Sequence, residues 1–162
     1  MRYLILLPFM FLVLTACQKT DREQLNGTWL ISEINVNGEQ MFSTDKTAQQ
    51  KIIDRVIAEQ MAQLPPEAQD QEVMMRKLFG RQMATSAKTT LEFKEDETFV
   101  SIRYDGSSQV ETTGRITLDE TKKEIRMKGD ADEQFTYELK DELLKLSDES
   151  GSDKIELSFR RK

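Results

Sequence analysis

The 162-residue chain contains no histidine, a single cysteine and only three prolines. Without histidine, it lacks the commonest general base and the commonest ligand of transition metals. With one cysteine, it cannot form an intramolecular disulfide. It also lacks a surplus of positive charge, since 23 Lys and Arg residues against 29 Asp and Glu residues leave a net charge of −6, which argues against a nucleic-acid partner. We therefore expect no cofactor, no metal site, no catalytic residues and no enzyme activity.

The N-terminus has the three parts of a secretory signal. Arg2 supplies positive charge, residues 3–14 form an apolar run, and small residues follow. The run is too short for a bilayer-spanning helix, which needs about 20 residues. The sequence Leu14-Thr15-Ala16-Cys17 resembles the lipobox of bacterial lipoproteins, in which the cysteine carries diacylglycerol. This resemblance implies that residues 1–16 are a signal peptide and that Cys17 becomes the lipidated first residue.

The residues after Cys17 bear on where the protein resides. Gln18 stands where an aspartate would resemble the inner-membrane retention signal of enteric bacteria. Two or three acyl chains anchor a protein stably, whereas a single chain binds only marginally. We therefore expect residues 17–24 to be a lipidated polar tether that holds an outer-membrane lipoprotein in the cell envelope, in a leaflet that the sequence does not indicate.

The pattern of apolar residues in the remaining chain predicts a β-barrel. From Lys88 onward, apolar residues recur with a period of two, as at Leu91 and Phe93, and short polar turns separate the segments. With a further strand around Trp29, there are eight such segments. Short connections favour antiparallel neighbours, and closure removes both exposed sheet edges. We predict a mainly β fold, an eight-stranded antiparallel up-and-down barrel wide enough for one small ligand.

Residues 43–85 interrupt this β pattern. Apolar residues between 48 and 64 recur at helical spacing, and a second helical stretch runs to Met83. Pro65 and Pro66 separate the two stretches, because proline ends a helix. Ser43 or Thr44 can cap the first helix. The sequence thus predicts an αα-hairpin inserted between the first and second strands of the barrel.

Several of these residues resemble the lipocalin family, in particular the small lipocalin-like lipoproteins common in Bacteroidetes. Gly27-Thr28-Trp29 matches the G-x-W motif that opens the first strand, and residues 91–99 are similar to the second hairpin, with Glu97 where a glycine is usual. The resemblance covers residues 25–40 and 88–162 and implies that residues 25–162 form a lipocalin-like domain. It also implies that Gly27, Trp29 and an arginine after the last strand close the barrel. Arg160 and Arg161 are available, and we assign Arg160.

In the family the loop after the first strand lies over the open mouth of the barrel. By analogy, the helical insertion would be a lid over a ligand, and methionine suits varied apolar ligands. We expect the ligand contacts to come from Ile53, Ile57, Met61, Met74, Leu78, Phe99, Tyr104 and Tyr137. The alternative is that the hairpin plugs the mouth or packs on the wall, so that these residues are ordinary core.

Two functions remain open from the sequence. In the first, a membrane-tethered lipocalin-like lipoprotein binds a small hydrophobic or amphipathic molecule inside the barrel. In the second, a filled barrel is a non-enzymatic interaction or assembly module of an outer-membrane complex, with a protein partner that the sequence does not identify. The second predicts an exposed apolar patch on residues 56–61 or 73–79.

Overall fold

A computed structural model describes residues 19–65, 71–105 and 108–162. The elements in chain order are α1 (Asp21–Leu25), β1 (Gly27–Val36), β2 (Glu39–Ser43), α2 (Lys46–Met61), α3 (Gln71–Ser86), β3 (Thr90–Phe93), β4 (Thr98–Asp105), β5 (Ser108–Asp119), β6 (Glu124–Lys128), β7 (Asp132–Lys140), β8 (Leu143–Asp148) and β9 (Ile155–Arg161). Within the described ranges, no helix has the length and apolar character needed to cross a membrane.

Eight strands close into an antiparallel barrel, which confirms the predicted architecture. Strands β3 to β9 are hydrogen-bonded neighbours in sequence order, and β1 pairs with both β3 and β9 to complete the circle. Because successive strands alternate in direction, their turns collect at two ends. We call these ends the base, with the turns at 94–97, 120–123 and 141–142, and the mouth, with the turns at 37–38, 129–131 and 149–154.

The ninth strand, β2, was not predicted from the sequence. It pairs with the second half of β1, from Glu33 opposite Ser43 to Val36 opposite Glu39. Strand β3 pairs with the first half of β1. Between these two pairings, Ile31 N–H donates to the Thr89 carbonyl and Thr44 N–H donates to the Ser32 carbonyl. The edge of β1 is thereby covered along its length, which leaves few backbone groups unpaired there.

The helical insertion lies between β2 and β3, and so between the first two barrel strands as predicted. Asp45, rather than Ser43 or Thr44, caps α2, because its carboxylate accepts the Ala48 N–H at 2.8 Å. Further along α2, Arg55 donates to the Gln40 carbonyl at 2.8 Å and pairs with Glu39. Helix α2 therefore runs from the middle of the wall towards the mouth along the outer side of β2. Helix α3 then leads the chain back to the start of β3.

The period-two alternation places one set of side chains inside the barrel, where they form its core. The buried residues include Trp29, Leu91, Phe93, Phe99, Ile125, Phe135, Tyr137, Leu144, Leu146 and Phe159. In β1 the register against β9 shifts between Ile31 and Glu33. This bulge explains why the apolar residues of β1 change phase, since it turns both Ile31 and Ile34 inward.

Part of the predicted tether is folded, which corrects the expected start of the domain at Leu25. Residues Asp21–Leu25 form α1, capped by a reciprocal pair of hydrogen bonds between Thr20 and Glu23. The Trp29 indole N–H donates to the Leu25 carbonyl at 2.7 Å, and Leu25 is almost fully buried. Helix α1 is therefore an integral cap on the base. Cys17 and Gln18 lie outside the described residues.

Glu97 lies in the turn between β3 and β4, at the position where the lipocalin-like lipoproteins that the sequence resembles usually have glycine. Its backbone has φ of +64°, in the left-handed region that glycine adopts without steric cost. The requirement for this conformation gives a physical reason for the usual glycine. The Glu97 side chain forms an ion pair with Arg22 of α1 at 2.8 Å, and so contributes a contact between the turn and the base cap.

Candidate functional site

The mouth half of the barrel contains a cavity of about 460 Å³ that is open to solvent. This volume falls within the range of ~300–1,000 Å³ that is typical of small-molecule sites. Its apolar wall is formed by Ile31, Ile34, Leu91, Met127, Phe135, Leu146, Ile155, Leu157 and Phe159. We call this cavity the calyx. Its lining is suited to the burial of apolar ligand surface.

Polar side chains replace apolar ones on the inner face towards the mouth. In β4 the inward residues run from Phe99 through Ser101 to Arg103, and in β7 Glu133 continues the inward series of Phe135. A smaller cavity of about 120 Å³ adjoins the calyx. The two cavities share Ser101, Arg103, Met127 and Glu133 in their linings. The site therefore has an apolar interior and a polar, charged entrance.

The charged side chains at the entrance differ in the hydrogen bonds and ion pairs that they already form. Asp148 accepts hydrogen bonds from the N–H and hydroxyl of Ser150, which hold the pKa of this carboxyl below its usual value. Asp130 accepts a hydrogen bond from Thr112 at 3.1 Å. Among the described residues, neither Arg103 nor Glu133 forms an ion pair within 4.0 Å.

The wall of the calyx is interrupted beside the helical insertion. Strand β3 begins at Thr90, opposite Ile102 of β4, so the last residues of β4 pair only with β5 in the described structure. Ser86 and Thr89, at the end of α3 and just after it, border the calyx at this gap. The last residue of α3 and the segment just after it therefore border the site, rather than the apolar faces of the helices.

The base is closed by α1 and its polar contacts. The Tyr137 hydroxyl donates to Asp21 at 2.6 Å, and Lys123 forms an ion pair with the same carboxylate. Burial alone raises the pKa of Asp21, but the hydrogen bonds from Lys123 and Tyr137 and the Lys123 charge outweigh it, so that this pKa lies below its usual 3.8. Burial, followed by the bond to Asp21, raises the pKa of Tyr137 well above its usual 10.0.

Arg161, not Arg160, lies across Trp29, which corrects the predicted arginine. The Arg161 guanidinium carbon lies 4.4 Å from the centre of the indole ring. Its nitrogens donate to the carbonyls of Asn26, at 2.8 Å, and of Gln24. Arg160 is exposed on the outer face. Alternate residues of a strand share a face, so Arg161, two residues after the inward Phe159, could have been selected from the sequence. Gly27 lies beside this cluster, with φ of +125°.

The predicted ligand contacts divide into three groups. Tyr104 borders the calyx, and Phe99 borders the smaller adjoining cavity. Tyr137 is bonded to Asp21 at the base instead. None of the five residues predicted on the helices borders the calyx: Ile53 and Ile57 are buried, Met61 is half-buried, and Met74 and Leu78 are 67% and 54% exposed. The ligand role of Tyr104 and Phe99 stays a prediction.

Helix α3 exposes the second of the two predicted apolar patches. Met74 and Leu78 are four residues apart and share one helical face, and Val73, which is 76% exposed, lies beside that face. In contrast, Ile57 in the first predicted patch, residues 56–61, is buried. We call Val73, Met74 and Leu78 the α3 stripe.

Part of the barrel is similar to a known protein family. Residues 84–156 match the model of the NlpE N-terminal domain, a match that covers somewhat less than half of the chain. A crystal structure of a DUF4847 family protein from Bacteroides vulgatus aligns with 85% of this chain and 95% of that chain, at 12% sequence identity and a TM-score of 0.49. No curated protein sequence matches the chain.

Proposed function

We propose that the chain is a membrane-tethered envelope lipoprotein whose lipocalin-like barrel binds a small hydrophobic or amphipathic molecule in the calyx. The observation that carries this proposal is the half-open cavity of about 460 Å³ in the mouth half of a barrel whose base is filled and capped. Burial of apolar ligand surface contributes about 25 cal/mol per Å², and the apolar wall supplies that surface. The polar entrance then orients the ligand.

Two observations support the lipid anchor. The lipobox-like sequence ends at Cys17, and the matching family model belongs to a family of envelope lipoproteins. Thr20, the cap of α1, is three residues from Cys17, a span of at most about 10 Å in an extended chain. A lipid on Cys17 would therefore hold the base close to the membrane, and the mouth would point away from it.

The test of ligand binding uses the chain from Gln18 to Lys162, which retains every contact described above. The purified protein is extracted with solvent, and the extract is analysed by mass spectrometry. Binding of an environment-sensitive apolar dye is then measured by fluorescence. We expect a small molecule that copurifies in stoichiometric amount, or saturable dye binding at one site per chain.

A variant that blocks the calyx sharpens this test. Leu157→Arg places a long charged side chain in the apolar wall, and Ser101→Arg is a milder block near the entrance. Glu138→Arg is the matched control, because Glu138 is exposed on the same strand as the inward Phe135 and Tyr137. We expect both blocking variants to lose dye binding while retaining cooperative unfolding. Undiminished binding in both folded variants would reject the calyx as the site.

The anchor is tested by labelling cells with an alkyne-tagged fatty acid. We expect the wild-type chain to carry the label and to fractionate with the outer membrane. Cys17→Ser removes the only thiol, so label and membrane association should both be lost. Thr15→Ser is the matched control, since it retains a small residue before the cysteine. A Cys17→Ser protein that is still labelled would contradict lipidation at this residue.

A second function, as an interaction or assembly module, is favoured by the α3 stripe. Three exposed apolar side chains on one helix are consistent with docking to an apolar groove on another envelope protein. A photo-crosslinking residue at Met74 tests this in cells. We expect a defined crosslinked complex that disappears with Leu78→Ser, while dye binding in the calyx is unchanged. Crosslinks unaffected by Leu78→Ser would reject this function.

A further inference from the structure

Arg103 and Glu133 bring opposite charges to the same entrance. Arg103 lies near the mouth end of β4, and Glu133 lies at the mouth end of β7. Both residues border the calyx, and both border the smaller adjoining cavity. Strands β5 and β6 separate β4 from β7 in the sheet order, so the two charges approach the cavities from different parts of the wall.

Arg103 and Glu133 are both exposed to solvent, and they lie at inward-facing positions at the mouth end of their strands. On the outer surface, Arg126 is bonded to Asp132, Arg55 to Glu39, and Lys154 to Glu149. Within the described residues, Arg103 and Glu133 have no such partner, and both border the cavities. A ligand head that displaces water from them must replace the lost hydration, because an uncompensated charge is costly to desolvate.

We propose that the calyx binds a single-tailed amphiphile with a zwitterionic head, in which Glu133 binds the ammonium group and Arg103 binds the anionic group. This proposal rests on the proposed function, since it names the ligand class of the same cavity. The tail lies along the apolar wall, and the head occupies the polar entrance. An arginine fork suits a phosphate or carboxylate, because it donates two parallel hydrogen bonds to either group.

The other charges at the entrance favour a zwitterion over a simple ion. Asp130 and Asp148 border the smaller cavity and the calyx respectively, so they oppose a ligand whose head is only a carboxylate. Arg103 opposes a ligand whose head is only an ammonium group. A head with both charges satisfies Arg103 and Glu133 together, and the neighbouring carboxylates further stabilise its ammonium group.

The experiment compares ligands that share one saturated tail and differ only in the head. The probes are a lysophosphatidylethanolamine, the corresponding fatty acid and the corresponding alkylamine, each displacing the apolar dye from the chain from Gln18 to Lys162. We expect the zwitterionic probe to bind at least about fivefold more tightly than either simple ion, a modest factor because the entrance is open to solvent. Free phosphoethanolamine should not displace the dye, since it lacks the tail.

Two variants assign the charges. Glu133→Gln should weaken the zwitterion and the alkylamine by about threefold to tenfold and strengthen the fatty acid. Arg103→Gln should weaken the zwitterion and the fatty acid and strengthen the alkylamine. Glu138→Gln and Arg115→Gln are the matched controls, because both side chains are exposed, like those of Glu133 and Arg103, but neither borders the calyx. The controls should leave all three affinities unchanged.

The outcomes separate this proposal from the one on which it rests. If dye and probes all fail to bind, the calyx function is itself rejected. If the three probes bind equally well and the two entrance variants change nothing, the calyx binds amphiphiles but the head-group assignment is wrong. Displacement by free phosphoethanolamine as strong as by the tailed probe would overturn the amphiphile class. If Glu133→Gln weakens the alkylamine and strengthens the fatty acid while Arg103→Gln does the reverse, the head-group assignment is established.

Discussion

Replacement of Arg161 by alanine should destabilise the barrel far more than the same change at Arg160. The Arg161 guanidinium stacks on Trp29 at 4.4 Å and donates to two backbone carbonyls at the junction of α1 and β1. A cation–π contact contributes about 0.5–2 kcal/mol, and a hydrogen bond from a charged donor contributes about 1.5 kcal/mol when half-buried. The stack and the two hydrogen bonds sum to about 3.5–5 kcal/mol, and contacts made by one side chain add incompletely, so we expect Arg161→Ala to lower the free energy of unfolding by about 3 kcal/mol. Arg160 is exposed, so Arg160→Ala should cost less than about 0.5 kcal/mol.

The assay is urea unfolding followed by tryptophan fluorescence, since Trp29 is the only tryptophan and lies in this cluster. A loss of about 3 kcal/mol lowers the urea midpoint by roughly 1–2 M for a chain of this size. Arg161→Lys keeps the charge but not the planar fork, and should fall between wild type and Arg161→Ala. The reasoning is refuted if Arg161→Ala unfolds at the same midpoint as Arg160→Ala.

Three further changes test other parts of the barrel. Tyr137→Phe removes the hydrogen bond to Asp21 and should cost about 1 kcal/mol near neutral pH. Because the folded pKa of Tyr137 is raised and that of Asp21 is lowered, this difference between wild type and variant should shrink above pH 10.0 and below pH 3.8 in unfolding titrations. Glu97→Gly removes the strain of a non-glycine residue at φ of +64° and should raise the free energy of unfolding by up to about 1 kcal/mol. The urea midpoint should rise slightly, and a lower midpoint would contradict this prediction. Gly114→Ala should lower the melting temperature markedly, because the added Cβ would clash with the Lys128 carbonyl oxygen. An unchanged melting temperature would show that the strands can separate there.

The strands of the barrel could be predicted because their signal is local. In β7, Phe135 and Tyr137 alternate with polar residues, and the pleat of a strand turns such a pattern into one inner and one outer face. Polar turns between successive segments made the connections short, and short connections require antiparallel neighbours. The eight barrel strands and the place of the helical insertion followed from these local rules.

The contacts of the helices could not be predicted in the same way. A helical pattern shows that one face is apolar, but not which surface will cover it. In the folded chain Ile57 of α2 is buried while Leu78 of α3 is exposed, although both were expected to face a ligand. The residues that border the calyx from this segment are Ser86 and Thr89, which carry no apolar signal at all. Their position depends on the late start of β3, opposite Ile102, which is a long-range feature of strand pairing.

The sequence by itself determined which residues alternate, where the chain turns and where a lipid anchor is expected, because each of these depends on neighbours along the chain. Only the tertiary structure decided that α1 caps the base, that Arg161 covers Trp29, and that Arg103 and Glu133 share one entrance. These three arrangements involve residues from α1, β1, β4, β7 and β9. Their formation depends on barrel closure and register, which bring distant residues together through the summed pairing of all the strands.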